Sequence, residues 1–387
     1  MPARVLALVL TLAALSGCSP ASVTSPTSVP SVLDSPRPRD LQTPESTGAP
    51  TPGSRTPTSA AAVPPSQAPA ERPTALATAE PSPSAAPAPA ARLFSYPIGT
   101  PGKPLGDEFF IRHGAEVENT WYNPGYWHTG EDWYAVAGDT VGAHVYVIAD
   151  GAVVYVGGNY PGRVVIVRHA GDLYSMYGHL DPHLNIQAGA RVTRGELIGT
   201  VLRRNDTTPN HLHFEIRTFL TAPAVNGSAP RYSFRCGVNC PPGPGYWPIQ
   251  ASDLPSDLGW RTPTHVIAQR MFPPDARRPL GEVIVATHPV SQSVALWSGP
   301  PDDSARSMLD TLALRAGERY PLLDVRAGPE DTHETSALGY QLWYAIRLPD
   351  GRTAWVQAAI PSTFETGSDG RPSSIYFNFF PAVDTPL

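Results

Sequence analysis

The amino-acid sequence predicts an all-β, antiparallel protein, and three observations lead to that prediction. First, short segments rich in β-branched residues alternate with glycine-containing breaks, which is typical of strands joined by turns. These segments lie at 145–149, 152–156, 164–167, 283–285, 294–297, 342–346 and 353–356. Second, Gly189 and Gly195 flank Val192 in a hairpin pattern. Third, Leu-Pro-Asp-Gly at 348–351 is a hairpin turn between the last two segments.

Length and composition bound the organisation of the chain. The 387 residues are enough for two domains, or three, and a hydrophobic content of 41% is enough for sizeable cores. Prolines are unevenly distributed, with 18 of the 46 before residue 93, so that region is a separate compositional class. The formal net charge of −6 provides no basic surface for nucleic acid, and we exclude nucleic acid as a partner.

The N-terminus predicts export. Residues 1–4 provide a positive start, and residues 5–15 form an apolar core that is too short to span a bilayer. The Leu-Ser-Gly-Cys sequence at 15–18 resembles the lipobox of bacterial lipoproteins. This resemblance implies a signal peptide at 1–17 and a lipid attached to the thiol of Cys18. The alternative is an ordinary signal peptide with an incidental cysteine, and both readings place the protein outside the cytoplasm.

The segment 18–92 is predicted to be a lipid-anchored, disordered linker. From residue 19 to about residue 91 it consists almost entirely of Pro, Ser, Thr and Ala. Such a composition cannot bury enough apolar surface to offset the entropy of ordering the chain. Proline keeps the segment extended, so we expect a stalk that holds a folded head away from the membrane.

Polar residues form two clusters within the domain predicted at 93–220. His128 and Asp132 lie four residues apart, where either a turn or the strand itself brings them together. The second cluster is His-Leu-His-Phe-Glu at 211–215, and Tyr-Gly-His-Leu at 177–180 lies between the two. Imidazole and carboxylate groups are ligand types that zinc selects.

The alternation in the second cluster predicts a metal site on a strand. Successive side chains of a strand point to opposite faces, so His211 and His213 face the same way. Leu212 and Phe214 then enter the core. A hydrolytic zinc site needs three protein ligands, a bound water and a base beside it, and His213 is a natural third ligand.

The three motifs together resemble the lysostaphin-type (LytM-type) zinc metallopeptidases of bacterial cell walls. The resemblance covers about residues 125–217 and includes the glycine-rich strand spacing between the motifs. It implies an antiparallel β-sheet metallopeptidase domain of the duplicated hybrid motif type that holds one Zn²⁺ ion.

The resemblance also implies a role for each site residue. His128, Asp132 and His213 would bind the metal, while His179 and His211 would flank the metal-bound water. His211 would be the general base, and His179 would orient the water and the developing oxyanion.

Two features of this domain leave alternatives open. The loop 200–210, with Arg203 and Arg204, lacks the small glycine-rich turn that is common in the family before the final motif. The choice of substrate is therefore open. Glu215 shares a face with His211 and His213, and it is either a partner of the metal ligands or a structural carboxylate.

The segment 221–280 is predicted to be a Pro/Gly-rich insertion or connector. It contains Cys236 and Cys240 in Cys-Gly-Val-Asn-Cys. Outside the cytoplasm a disulfide across this small loop is the favoured reading. A metal-binding pair is the alternative, although no further Cys or His lies nearby in the sequence.

The C-terminal part of the chain resembles bacterial SH3-like domains. The resemblance lies in the hairpin at 343–356 and covers roughly residues 281–360. We therefore predict a small SH3-like β-barrel at 281–365 that binds wall material, followed by a C-terminal tail at 366–387.

These observations predict an exported, lipid-anchored zinc endopeptidase of the cell envelope. Its partners would be peptidoglycan, through stem peptides or cross-bridges, and a membrane, through the lipid on Cys18. One alternative is a non-catalytic wall-binding or amidase-activator protein on the same fold. Another is a secreted zinc hydrolase that acts on a non-wall peptide.

Overall fold

The computed structural model describes residues 93–118, 120, 122–158, 162–205, 207–232, 245–331, 340–367 and 370–382. The predicted signal peptide, Cys18, the linker at 18–92 and the pair Cys236 and Cys240 lie outside the described residues. Among the residues that are described, no helix is long and apolar enough to cross a membrane.

Most of the regular structure in the described residues is β-strand. The strands are β1 (Ile98–Gly99), β2 (Phe109–His113), β3 (Tyr126–His128), β4 (Glu131–Ala135), β5 (His144–Tyr146), β6 (Gly151–Gly157), β7 (Arg163–Arg168), β8 (Tyr174–Leu180), β9 (Arg191–Val192), β10 (Leu197–Thr200), β11 (Leu212–Arg217), β12 (Tyr246–Pro248), β13 (Trp260–Arg261), β14 (Gly281–Val285), β15 (Ser293–Trp297), β16 (Met308–Ala313), β17 (Arg319–Ala327), β18 (Leu342–Arg347), β19 (Thr353–Gln357), β20 (Ala359–Thr366), β21 (Pro372–Phe377) and β22 (Phe379–Pro381). The helices are α1 (Pro255–Leu258) and α2 (Pro263–Arg270), and a 3₁₀ turn covers Ala170–Asp172.

The larger of the two main sheets carries Asp132 on β4, His179 on β8 and His213 on β11. His128 ends β3, which pairs with β12 outside this sheet. The strand order of the larger sheet is β20-β21-β2-β4-β11-β8-β7-β6-β9, and β13 adds to it by pairing with β11. The pairings are antiparallel in this sheet and in the smaller ones, β1-β5-β10 and β12-β3. The predicted all-β, antiparallel fold class is therefore confirmed.

Strand β11 lies in the middle of this sheet, and its apolar residues alternate with polar ones. Leu212, Phe214 and Ile216 are completely buried in the main hydrophobic core. His213 lies opposite Asp132 on β4 and opposite Gly178 on β8. The alternation that the sequence predicted thus places the second polar cluster between the strands that carry the other two motifs.

The predicted connector at 221–280 contributes ordered elements to the first domain. Strand β12 pairs with β3, and β13 pairs with β11. Helix α2 buries Val266, Ile267 and Ala268 in the main core. Proline at its first helical position suits the start of a helix, where the missing N–H has no intrahelical partner.

Strands β14 to β19 and β22 form a second antiparallel sheet with the order β16-β15-β19-β18-β17-β14-β22. The predicted hairpin is present, because β18 and β19 pair on either side of the turn at 348–351. The SH3-like barrel stays a prediction.

The predicted C-terminal tail contains two strands. Strand β21 pairs with β2 of the larger sheet, and β22 pairs with β14 of the second sheet. Ile375, Phe377 and Phe380 are buried in the main core. Phe377 also stacks on Trp133, with ring centroids 5.5 Å apart. Aromatic burial of this size stabilises strands strongly, so residues 372–381 belong to the folded body rather than to a tail.

Candidate metal centre

The first polar cluster is brought together by a turn between two strands. His128 ends β3, Asp132 lies in β4, and Thr129 and Gly130 connect them. A Cβ atom on Gly130 would lie 2.4 Å from the carbonyl oxygen of Phe214. Glycine is therefore required here, because the turn packs directly against the backbone of β11.

Three of the predicted residues converge on one point. His128 Nε2 lies 3.0 Å from His213 Nδ1 and 3.2 Å from Asp132 Oδ1. Asp132 Oδ1 is in turn 3.0 Å from His213 Nδ1. All three side chains are at most 1% exposed. Among the described residues they form a group that could hold a metal ion.

The donor set and its spacing fit Zn²⁺. Ligands about 2.0–2.2 Å from a tetrahedral zinc ion are separated from one another by roughly 3.3 Å. The distances of 3.0–3.2 Å among the three atoms are close to that separation. Two imidazoles and one carboxylate are also a donor set typical of catalytic zinc sites, which keep a fourth position for water or substrate.

Each imidazole is oriented by its second ring nitrogen. His128 Nδ1 lies 3.2 Å from the carbonyl oxygen of Gly114, to which it donates, so Nε2 is left with its lone pair. His213 Nε2 lies 3.0 Å from Glu215 Oε1, which leaves Nδ1 to face the other two ligands. Such outer contacts fix the ring orientation of metal-binding histidines.

Glu215 is a buried acceptor for several donors. Thr129 Oγ1 donates to Oε1 at 2.7 Å, while Trp260 Nε1 and Arg217 Nη1 donate to Oε2 at 3.0 and 3.2 Å. Burial would raise the pKa of Glu215, but the bond with His213 and the charge of Arg217 outweigh it and lower the pKa to about 2. Glu215 bonds both to His213, a predicted metal ligand, and to three donors outside that group, so its contacts agree with both alternatives that the sequence left open.

The two remaining predicted histidines lie beside this group. The ring centroid of His211 is 4.6 Å from that of His179, and His211 Nε2 is 3.7 Å from Asp132 Oδ1. His179 has a left-handed backbone with a φ of 59°, which is uncommon for a residue other than glycine. Such conformations cluster at functional sites, where the surrounding structure maintains them.

The contacts of His211 favour the neutral tautomer in which Nε2 can accept a proton. Its Nδ1 lies 2.9 Å from the carbonyl oxygen of Pro209, to which it donates, so Nε2 carries the lone pair. Burial lowers the pKa of His211 to about 4, although the charge of Asp132 opposes that shift. The ring of Tyr134 stacks on the imidazole with centroids 4.8 Å apart.

The charges of the cluster favour ionised Asp132 and protonated His213 when no cation is bound. Burial would raise the pKa of Asp132, but its interactions with His128, His211 and His113 hold it well below its usual range. Burial would lower the pKa of His213, but its bonds with Asp132 and Glu215 raise it to about 9.

Three residues that contact the site were not predicted from the sequence. His113 Nδ1 lies 3.3 Å from Asp132 Oδ2. Tyr246, from the predicted connector, places its ring 5.4 Å from that of His128, and Trp260 bonds to Glu215 as described above. No local motif marks these residues, since β2, β12 and β13 reach the site only through strand pairing.

A surface cavity of about 380 Å³ borders Asn210, the residue before His211, although none of the predicted site residues lines it. Its lining includes Tyr134, Arg203 and Arg204, and also Asp139 and Asn210. The loop at 200–210, which departs from the family pattern in the sequence, thus contributes Arg203 and Arg204 to the lining of this cavity.

The family comparison agrees with this geometry. Residues 126–227 match the model of Peptidase family M23.

Among curated proteins, the chain is similar to the DD-carboxypeptidase/endopeptidase Mpg of Neisseria meningitidis serogroup B and of Neisseria gonorrhoeae. In both, the identity is 39% over 92 residues, which are 23% of this chain and 20% of the relative. The chain thus matches about a fifth of the length of these relatives.

Solved structures that resemble the chain include lysostaphin from Staphylococcus simulans, at 14% identity over 75% of this chain and 99% of that one, with a TM-score of 0.27. They also include a zinc-containing peptidase from Vibrio cholerae, at 27% identity over 33% of this chain and 37% of that one, with a TM-score of 0.25.

Proposed function

We propose that this protein is a zinc-dependent endopeptidase that hydrolyses peptide bonds in peptidoglycan stem peptides or cross-bridges. The observation that supports the proposal is the convergence of His128 Nε2, Asp132 Oδ1 and His213 Nδ1 at separations of 3.0–3.2 Å. Two further imidazoles lie beside that group, as hydrolysis requires. The match to Peptidase family M23 supports a peptidase, and the names of the curated relatives support a wall peptide as the substrate.

In this proposal the three ligands hold one Zn²⁺ ion, and the two remaining histidines handle the proton and the oxyanion. When bound, zinc supplies Lewis acidity and lowers the pKa of a water molecule to about 7. His211 Nε2 accepts the proton of the attacking water, because its Nδ1 is committed to Pro209. The same nitrogen then returns the proton to the leaving amine.

His179 would stabilise the charge that develops on the substrate carbonyl oxygen. Its ring lies 4.6 Å from the ring of His211 and 6.2 Å from that of His213, so it borders the same reaction space. A donor aimed at a developing oxyanion in a buried site contributes about 2.7–4 kcal/mol to lowering the barrier. Tyr134 keeps the base in place by stacking on it.

We also propose that the protein works at the cell envelope, tethered to a bacterial membrane. The lipobox-like segment at 15–18 would place a lipid on Cys18, and the linker at 18–92 would extend from it. The disulfide between Cys236 and Cys240 belongs to the same proposal, since it needs an oxidising compartment. Wall binding by an SH3-like domain at 281–365 would raise the local concentration of substrate.

The test uses the mature protein and purified peptidoglycan, with the released peptides identified by mass spectrometry. We expect peptide release that stops with a chelator and returns when Zn²⁺ is added. His128→Ala and His211→Ala should both abolish release, the first with loss of zinc and the second with zinc retained. His183→Ala, at a side chain that is 97% exposed, is the matched control and should leave release unchanged.

Two outcomes would contradict the proposal. Release that persists at the same rate in the chelator would exclude metal catalysis. Binding to peptidoglycan without any release would instead support the non-catalytic wall-binding or activator protein.

A further inference from the structure

His113 lies on the side of Asp132 that faces away from the other metal ligands. Its Nδ1 is 3.3 Å from Asp132 Oδ2, and its side chain is only 4% exposed. The other carboxylate oxygen, Oδ1, faces His128 and His213. Oδ1 of Asp132 thus faces His128 and His213, whereas Oδ2 contacts His113.

A bulge in β2 places His113 at this position. Ile111 lies opposite Trp133 on β4, so regular pairing would put residue 113 opposite residue 131. The register shifts after Ile111, and His113 instead lies opposite Asp132. Bulges of this kind re-aim a side chain, and they are frequent next to active sites.

The far side of His113 faces a carboxylate from the C-terminal strands, within ion-pair distance. His113 Nε2 is 3.4 Å from Glu365 Oε2, and the Glu365 side chain is only 13% exposed. Arg112 fixes the other oxygen, because its Nε and Nη2 donate to Glu365 Oε1 at 2.8 and 2.5 Å. Glu365 belongs to β20, which reaches the site because its partner β21 pairs with β2.

We propose that His113 and Glu365 are positioning residues for the zinc ligand Asp132. His113 holds Oδ2, so that Oδ1 is presented to the metal before the metal arrives. Glu365 holds the imidazole of His113 in the orientation that this contact needs. The C-terminal strand pair thereby becomes part of the metal centre, although it lies more than 200 residues from Asp132 in the sequence.

This inference rests on the zinc site of the proposed function, and its test measures zinc binding rather than activity. The zinc dissociation constant of the full-length mature protein is measured by competition with a chromophoric chelator. Loss of a contact that orients a metal ligand typically lowers metal affinity by 10–100-fold. We expect a loss in that range for His113→Ala, and a loss of about tenfold for Glu365→Ala.

A conservative variant and a matched control separate positioning from general stability. His113→Asn keeps an N–H donor near the position of Nδ1, and we expect it to recover most of the lost affinity. His169→Ala removes another imidazole in a residue that is 3% exposed, like His113. The ring of His169 bonds to Asp150 and Ser175, away from the metal ligands, so this variant should lose stability and keep its zinc affinity.

The outcomes are distinguishable. Wild-type affinity in both His113→Ala and Glu365→Ala would overturn the inference and leave the proposed function intact. Equal losses of affinity in His113→Ala and His169→Ala would also overturn it, because a general effect on folding would then explain both. If His113→Ala does not fold, wild-type affinity in Glu365→Ala decides against the inference. Wild-type protein that binds no zinc would defeat the proposed function and the inference together.

Discussion

Replacement of Glu215 by glutamine should strongly destabilise the protein, because the carboxylate is buried among four donors. Thr129, His213, Arg217 and Trp260 all direct N–H or O–H groups at its two oxygens. Each carboxylate oxygen of Glu215 accepts from two donors, whereas glutamine has one oxygen and one NH₂ group. The two donors at one of these positions would therefore face the NH₂ group, which is itself a donor. The same change removes the negative charge beside Arg217, whose side chain is completely buried.

The pKa shift of Glu215 and the usual cost of breaking a buried ion pair give similar values for the loss in free energy of unfolding. The environment lowers the pKa of Glu215 from the ordinary value of 4.5 to about 2, and the side chain is fully buried. At 1.36 kcal/mol for each pKa unit, that shift corresponds to about 3 kcal/mol at neutral pH. Removing one partner of a buried ion pair typically costs about 3–5 kcal/mol. We therefore expect Glu215→Gln to lower the free energy of unfolding by about 3–5 kcal/mol.

The assay is urea denaturation of metal-free protein at pH 7, with Glu282→Gln as the matched control. Glu282 pairs with Arg319 at 3.0 Å, but both side chains are at least half exposed, so its loss should cost under about 1 kcal/mol. Because the pKa of Glu215 is lowered, its contribution is present above about pH 4.5 and disappears as the pH falls towards 2. The difference between wild type and Glu215→Gln should therefore shrink over that range. A loss of stability no larger than that of Glu282→Gln would refute the reasoning.

Three further predictions follow from other contacts. Zinc binding at pH 7 should release about one proton, because His213 has a pKa of about 9 without metal and must lose its proton to bind the ion. Calorimetry in buffers of different ionisation enthalpy measures the number of protons released, and a value of zero would contradict the prediction. Tyr340→Phe removes a 2.6 Å hydrogen bond to the buried carboxylate of Glu131 and should lower the free energy of unfolding by about 1–3 kcal/mol. An unchanged midpoint of urea denaturation would contradict this prediction. Gly130→Ala brings a Cβ to within 2.4 Å of a backbone oxygen and should lower the melting temperature. Gly158→Ala is the control, because its Cβ would meet only the end of the flexible Arg163 side chain, and an equal loss in both variants would contradict the prediction.

Local rules predicted how residues are placed within each motif, whereas the family resemblance implied that the motifs form one site. Strand alternation in β11 puts His213 and Glu215 on one face, and Leu212 and Phe214 in the core. The turn at Thr129 and Gly130 explains why His128 and Asp132 are four residues apart. Neither feature needs information from a distant part of the chain.

The surroundings of the site could not be predicted, because long-range pairing determines them. His113 reaches Asp132 only through a bulge, and a one-residue register shift leaves no mark in composition or periodicity. Glu365 arrives through β20 and β21, in a region where the sequence indicated the end of one domain and a tail. Tyr246 lies in a Pro/Gly-rich stretch whose composition indicated a connector, although three of its residues pair with β3.

The central claim is that His128, Asp132 and His213 bind one zinc ion, and metal analysis of purified protein tests it most directly. After incubation with Zn²⁺ and removal of the excess, elemental mass spectrometry should find one zinc per chain in the wild type and in His211→Ala. It should find none in His128→Ala or His213→Ala, provided that both remain folded by circular dichroism. A wild-type chain that takes up no zinc, or a folded His213→Ala chain that retains one equivalent, would contradict the account.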